Sequence, residues 1–169
     1  MKLVAPSVEL EHAYHAFLAD FIAHDPENAG FYEPQQPFAA HVAKLFAEQN
    51  LPLNDSTVPC HHFWFCDEFM QIIGALRVRH HIDSAYLSLE VGHIGYDVAP
   101  SWRGRGVGKQ LLAQGLAAAK TLGLEQVLII ADEDNLASRK VIEANGGQLA
   151  DIVLGQQQPS LLARYWCQL

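Results

Sequence analysis

The sequence predicts a mixed α/β domain in which helices flank a mostly antiparallel sheet. Three observations predict it. A strand, a glycine-rich basic turn and a helix follow one another between Leu89 and Leu122; short β-branched and aromatic runs pair across short connections on both sides of that unit; and two amphipathic helical stripes fill residues 1–50. The 169 residues, 50% of them hydrophobic, suit one domain spanning 1–169 with an ordinary core. There is no internal repeat or low-complexity tract.

In chain order, Lys2 to Ala5 reads as a short edge strand ended by Pro6. Ser7 is an N-cap for a helix whose Leu10, Ala13, Tyr14, Phe17, Leu18 and Phe21 fall at helical spacing and form a core face. His24 to Pro37, rich in Pro, Gly, Asn and acidic residues, reads as a loop with Phe31 and Tyr32 as its only bulky apolar content. A second helix runs from about Phe38 to Asn50, with Phe38, Val42, Leu45 and Phe46 as its stripe, and Leu51 to Pro59 is a polar connection. His61 to Cys66 and Met70 to His80 form a hairpin about Asp67-Glu68, and His81 to Ser84 lead into the central strand.

That strand, about Glu90 to Val98, rests on Val91, Ile94, Tyr96 and Val98 and is closed by Ala99-Pro100. Gly92 and Gly95 interrupt it, which marks a bulge and a strand that splays from its neighbour. After the basic turn, Leu111, Leu112, Gly115, Leu116, Ala119 and Leu122 carry a helix stopped at Gly123. Gln126 to Ala131 is the next strand, a helix begins at Asn135, and Asn145-Gly146-Gly147 stops it. Ile152 to Leu154 and Leu161 to Cys167 are the final strand pair.

Composition narrows the functional classes. A formal charge of −8 disfavours nucleic acid as a partner; it accommodates a cationic amine substrate, although dispersed surface carboxylates explain it equally. Three cysteines, at 60, 66 and 167, lack Cys-x-x-Cys spacing and point to a reduced, cytoplasmic protein. Met1-Lys2-Leu3 leads into no apolar run long enough for a signal or a membrane span, so no membrane partner is expected. The sequon Asn54-Asp55-Ser56 has no role in that compartment. No metal is expected either: His61-His62 and His80-His81 point to opposite strand faces, and His12 with His15 lacks a third ligand.

The chemistry concentrates in Arg103-Gly104-Arg105-Gly106-Val107-Gly108. Three glycines in six residues let the backbone curl and present successive N–H groups at a helix start, where the dipole favours an anion and Arg103 and Arg105 add charge. A diphosphate is the natural occupant. A dinucleotide fingerprint fails, because its third glycine falls one place early; a P-loop fails, because Arg103 holds the first glycine position and Gln110 the hydroxyl position.

The stretch resembles the acetyl-CoA-binding motif of the GCN5-related N-acetyltransferase (GNAT) superfamily, Arg/Gln-x-x-Gly-x-Gly/Ala, met here by Arg103, Gly106 and Gly108. The strand ending in Val-x-Pro before it, the helix and strand after it, and the later Asn135-Leu136-Ala137-Ser138 and Glu143-Ala144-Asn145-Gly146-Gly147 extend the match over about residues 70–169. The resemblance implies the GNAT acyl-CoA N-acyltransferase fold, a twisted, mostly antiparallel sheet whose central strands part to admit acetyl-CoA as co-substrate. It also implies acetyl transfer to a primary amine of a small molecule or peptide, and, by family habit, a homodimer. Gly104, Arg105, Val107, Asn135 and Ser138 join the coenzyme contacts, and the backbone around Tyr96 and Val98 serves the thioester carbonyl and the pantetheine arm. Phe31, Tyr32 and Glu33 become candidates for acceptor specificity, against a reading in which the loop merely tucks two aromatics into the core.

Amine acetylation needs a proton acceptor and stabilisation of developing negative charge. Glu90 and His93 lie where the superfamily often keeps a carboxylate. Glu90 acts directly or through water, or is only an exposed edge residue. His93 has a suitable unperturbed pKa of about 6.5, or is simply bonded to a neighbouring loop. Many members carry a Tyr seven residues after the Asn to protonate the leaving thiolate; here that position is Ile142. Three alternatives follow: a nearby group such as Tyr165 substitutes, the thiolate leaves without a dedicated acid, or the chain is a non-catalytic acyl-CoA-binding or sensory protein.

Overall fold

A computed structural model describes residues 1–52, 58–157 and 159–169; the Asn54-Asp55-Ser56 sequon lies outside them. Seven strands make one sheet in the order β1-β2-β3-β4-β5-β7-β6, where β1 is Lys2–Val4, β2 Cys60–Cys66, β3 Ile72–Arg79, β4 Ile94–Val98, β5 Gln126–Asp132, β6 Gln148–Leu154 and β7 Leu161–Gln168. Every neighbouring pair is antiparallel except β4 with β5, which is parallel. This is the mixed, mostly antiparallel α/β arrangement that the sequence predicts.

Strand alternation divides the core between the two faces of the sheet. Phe65, Leu76, Val78, Ile94 and Ile129 meet Leu111 and Leu112 of α4 (Val107–Thr121) on one face. On the other, Trp64 and Ile72 meet Tyr14, Phe17 and Phe21 of α1 (Glu11–His24) and Phe38 of α3 (Phe38–Ala47). The second core is held by tilted and edge-on aromatic pairs, Tyr14 to Trp64 at 5.1 Å and Phe17 to Tyr32 at 4.9 Å between centroids. Each such ring removes enough apolar surface from water to contribute about 1.5–3 kcal/mol.

Local rules account for the departures from expectation. Ser7 does cap, its hydroxyl accepting the Glu9 N–H at 3.2 Å, but the first turn is a 3-10 turn and the α-helix starts at Glu11. The expected 24–37 loop holds a one-turn helix, α2 (Pro26–Ala29), begun by proline at its first position. Residues 38–50 are helical as expected, with the last turn tightened from Glu48 to Asn50. β6 begins four residues earlier than Ile152 because Gln148 and Leu149 also pair with β7, on an exposed edge where no apolar pattern marks them.

The main correction concerns the central strand. Leu87–Val91 form a π-helical turn, so Glu90 and Val91 are not on the strand. Ser84 Oγ accepts the Leu87 N–H at 3.2 Å at the start of the turn, and the Gly92 N–H closes it on Leu87 O at 2.7 Å. Gly92 has φ +75°, and a Cβ there would sit 2.6 Å from the Leu128 carbonyl oxygen, so only glycine turns the chain into β4 at this point.

Candidate active site

β4 and β5 touch at one register, Ile94 with Ile129, and then part. On its other edge β4 is bonded to β3: the Arg79 N–H donates to His93 O at 2.8 Å and the Ala99 N–H to Ile73 O at 3.0 Å. Because main-chain groups alternate along a strand, Tyr96 and Val98 then direct their N–H and C=O groups into the gap.

The basic turn stands at the mouth of this gap. Gly104 and Gly106 adopt φ +74° and +76° with open space where a Cβ would be, so the backbone conformation, not crowding, requires glycine. The N–H groups of Val107, Gly108 and Lys109 open α4 and by position have no intrahelical acceptor. Gly108 serves packing as well: a Cβ there would lie 3.3 Å from Val141 Cγ2, so its absence brings α4 close to α5 (Leu136–Glu143). Asn135 caps α5, its Oδ1 accepting the Ser138 N–H at 3.0 Å. A cleft of about 670 Å³ lies between the turn, β4 and this cap. Its helix N-terminus and the amides that open α4 fit a diphosphate-bearing ligand such as coenzyme A.

The two arginines of the turn differ. Arg103 Nε donates to Val98 O at 3.0 Å and Nη2 to Asp25 Oδ2 at 2.7 Å, with the guanidinium 5.5 Å from the Phe21 ring centroid. That pairing holds the Asp25 carboxyl below the usual carboxylate range. Arg103 thus braces the turn on α1 and α2, and part of its charge is already compensated. Arg105 lies over Trp102, 5.5 Å from the centroid.

A second cleft, about 490 Å³, opens beyond the gap and shares Tyr96, Asp97, Asn135 and Ser138 with the first. The Tyr96 hydroxyl spans the gap to Ser138 Oγ at 2.9 Å, and burial pushes the phenol up to about 12. Glu90 lines this cleft, its carboxylate accepting the Gln156 and Gln157 N–H groups at 3.0 and 3.2 Å. Asp97 stands at the junction. Burial raises its carboxyl above the ordinary value, while the Tyr32 hydroxyl donates to Oδ2 at 2.5 Å. Tyr32 is itself buried and Phe31 is 71% exposed at the cleft rim, so only one of the two loop aromatics tucks into the core. Glu33 is exposed.

Two expected site residues lie elsewhere. His93 is buried; its N–H donates to Leu128 O at 2.8 Å and its Nδ1 accepts the Leu128 N–H at 2.9 Å. The imidazole adds a side-chain bond to β5 just before β4, where the π-helical turn ends, and burial drives its pKa down to about 4. It does not line either cleft. Tyr165 is fully buried on β7; its hydroxyl donates to Glu143 Oε1 at 2.9 Å and accepts from Arg139 Nε at 2.9 Å, which fixes α5 to the sheet. Ile142 is core.

Asp97, Arg77 and Arg79 were missed by sequence reasoning. The signal for Asp97 was a lone carboxylate inside the apolar run Ile94 to Val98. Among the described residues no group of three or more His, Cys, Asp or Glu is placed to hold a metal, and no helix is long and apolar enough to cross a membrane.

A family model for the acetyltransferase (GNAT) domain matches residues 6–148. The chain belongs to the GNAT acetyltransferase family. The GNAT chain is similar to an uncharacterized N-acetyltransferase, YycN, of Bacillus subtilis (strain 168), at 25% identity over 158 residues, covering 93% of this chain and 98% of that one. Its fold is shared with microcin C7 self immunity acetyltransferase MccE, crystallised with acetyl-CoA and AMP (TM-score 0.72, 12% identity, 99% of this chain and 91% of that). It is shared also with RimL, a ribosomal L7/L12 alpha-N-protein acetyltransferase, in complex with coenzyme A (TM-score 0.70, 17% identity, 99% and 93%).

Proposed function

We propose that this GNAT protein transfers an acetyl group from acetyl-CoA to a primary amine of a small molecule or peptide, both substrates being held at once. One observation carries the reading: a cleft fitted to a diphosphate and a cleft lined by carboxylates and arginines meet at the gap beside Tyr96 and Asp97. The coenzyme bound in MccE and RimL supports acetyl-CoA as the donor.

The co-substrate supplies an activated acyl thioester; every other part is played by residues of the chain. The amides of Val107, Gly108 and Lys109 bind the diphosphate, with Gly104 and Gly106 shaping the turn and Arg105 adding charge. The Tyr96 N–H is the donor available to negative charge developing in the gap, and the Val98 peptide orients the neighbouring arm. Asp97 takes the amine proton on its carboxylate, and Glu90 stabilises the incoming cation from the opposite wall. The Tyr96 and Ser138 hydroxyls return a proton to the thiolate. Holding two substrates in one orientation contributes about 7–11 kcal/mol to the best intramolecular reactions.

Thiol release from acetyl-CoA with a panel of amines, amino acids and peptides tests this. A second reading, an acyl-CoA-binding or sensory protein without turnover, is favoured by Ile142 at the usual acid position and by the sequestered Tyr165. Tight coenzyme binding with no transfer to any acceptor would select it.

A further inference from the structure

The acceptor cleft contains two guanidinium groups that form no ion pair among the described residues, although the charge of Arg77 acts on Asp97 and that of Glu48 on Arg79. Arg77 and Arg79 are two apart on β3, on the sheet face shared with Asp97, and both line the 490 Å³ cleft. Arg103, Arg139 and Arg164 are each paired with a carboxylate, whereas neither Arg77 nor Arg79 forms an ion pair among the described residues. Arg77 Nε is buried and has no hydrogen-bond partner among the described residues. Among the described residues Arg79 Nη1 donates to the Gly92 carbonyl alone, at 3.4 Å. Burial and the charge of Arg77 both press against protonation of Arg79, the sign of two desolvated like charges side by side.

The cleft carboxylates bond to neutral donors, and the charge of Arg77 acts on Asp97 without an ion pair among the described residues. Asp97 accepts from Tyr32, and Glu90 accepts from two main-chain N–H groups. The backbone is also adapted to Arg77: a Cβ at Gly95 would sit 2.9 Å from Arg77 Nε, so glycine there lets the guanidinium lie flat across β4. An arginine packed over a glycine at a cleft wall, with its Nε–H unpaired among the described residues, has donor capacity left for an oxyanion.

From this we infer that the acceptor amine carries an oxyanion, a carboxylate or a phosphate, and that Arg77 and Arg79 hold it while Asp97 faces the amine. The inference rests on the acetyl-transfer reading above and narrows it to amino-acid-like acceptors. Ala75 pairs with Asp97 and Arg77 with Gly95, so receptor and base are one strand repeat apart, about 7 Å. A spacer of a few atoms between amine and oxyanion spans that distance.

The test presents the full chain and acetyl-CoA with matched sets of four acceptors: an amino acid, its primary amide, its decarboxylated amine and its aminophosphonate analogue, with apolar, polar and acidic side chains. The anionic members are expected to exceed the amide and amine at least about tenfold in kcat/KM, and the carboxylate and phosphonate arms tell the two oxyanions apart. Arg77→Met should abolish the preference mainly through KM while leaving coenzyme affinity by calorimetry unchanged, and Arg77→Lys should restore part of it. Equal or better use of the neutral acceptors overturns the inference and leaves acetyl transfer standing. If no acceptor turns over, acetyl transfer fails, and calorimetric binding of the N-acetylated acid and amide to the coenzyme-loaded protein decides: an acid bound no more tightly than its amide overturns the inference.

Discussion

The Tyr32 hydroxyl donates a 2.5 Å hydrogen bond to Asp97 Oδ2, tying the segment after α2 to the rim of the β4–β5 gap. Tyr14 completes the tie by donating to Tyr32 O at 2.7 Å. Burial raises the Asp97 carboxyl and the Tyr32 bond lowers it. Removing the donor in Tyr32→Phe therefore leaves burial less opposed, and the carboxyl rises further. The acid limb of the kcat/KM profile should move to higher pH, the direction expected when a hydrogen bond to the charged form is lost. An unmoved limb would remove Asp97 from the proton-accepting role.

Asp97 and Glu90 can be separated directly. Asp97→Asn keeps the shape and deletes the proton acceptor, so kcat should fall about 10²-fold or more while coenzyme affinity stays put. Glu90→Gln retains an oxygen for the Gln156 and Gln157 N–H groups and loses only charge, for an expected loss below about tenfold. Steady-state rates with calorimetric coenzyme titrations check both; a larger loss in Glu90→Gln would exchange the two roles.

What the sequence disclosed and concealed follows one physical division. Tyr14, Phe17 and Phe21 were legible because a helix face has a local period, and the Arg103–Gly108 turn because glycine and arginine punctuate it. Leu87-Ser88-Leu89-Glu90-Val91 alternates like a strand, and only the contacts of Ser84 and Gly92 make it a π-helical turn. Arg77 and Arg79 likewise sit in an alternating strand whose polar positions ordinarily face solvent. They line a cleft because α1 and α3 cover the neighbouring end of that sheet face and stop short of this one, a fact of tertiary structure. His93 is the same case: its partner Leu128 is 35 positions away.

Gly106→Ala tests the anion site with little risk to the fold. No atom lies within 4 Å of the added methyl, so the penalty is the left-handed conformation alone, about 1–2 kcal/mol. That strain tilts the first amides of α4, and coenzyme affinity should drop about tenfold with only a modest fall in melting temperature. Gly108→Pro deletes an N–H and also presses on Val141, so its loss of affinity should be greater. Unchanged coenzyme affinity in both variants would place the diphosphate elsewhere.

His93 makes a separate prediction about stability. Its folded pKa of about 4 lies below the ordinary 6.5 of a free imidazole, so between those values the unfolded chain binds a proton that the folded chain refuses. The contribution of His93 to stability is fully present above pH 6.5 and is lost as the pH falls toward 4, by about 3 kcal/mol. His93→Asn offers a side-chain oxygen to the Leu128 N–H without titrating, so its urea midpoint should fall less steeply over this range than that of the unaltered protein. His93→Leu strands that N–H and should cost about 1–3 kcal/mol at neutral pH. Carboxylates that titrate in the same window are common to both proteins and cancel in the difference. Parallel midpoint curves for the unaltered protein and His93→Asn would mean that the imidazole is not held neutral by the sheet.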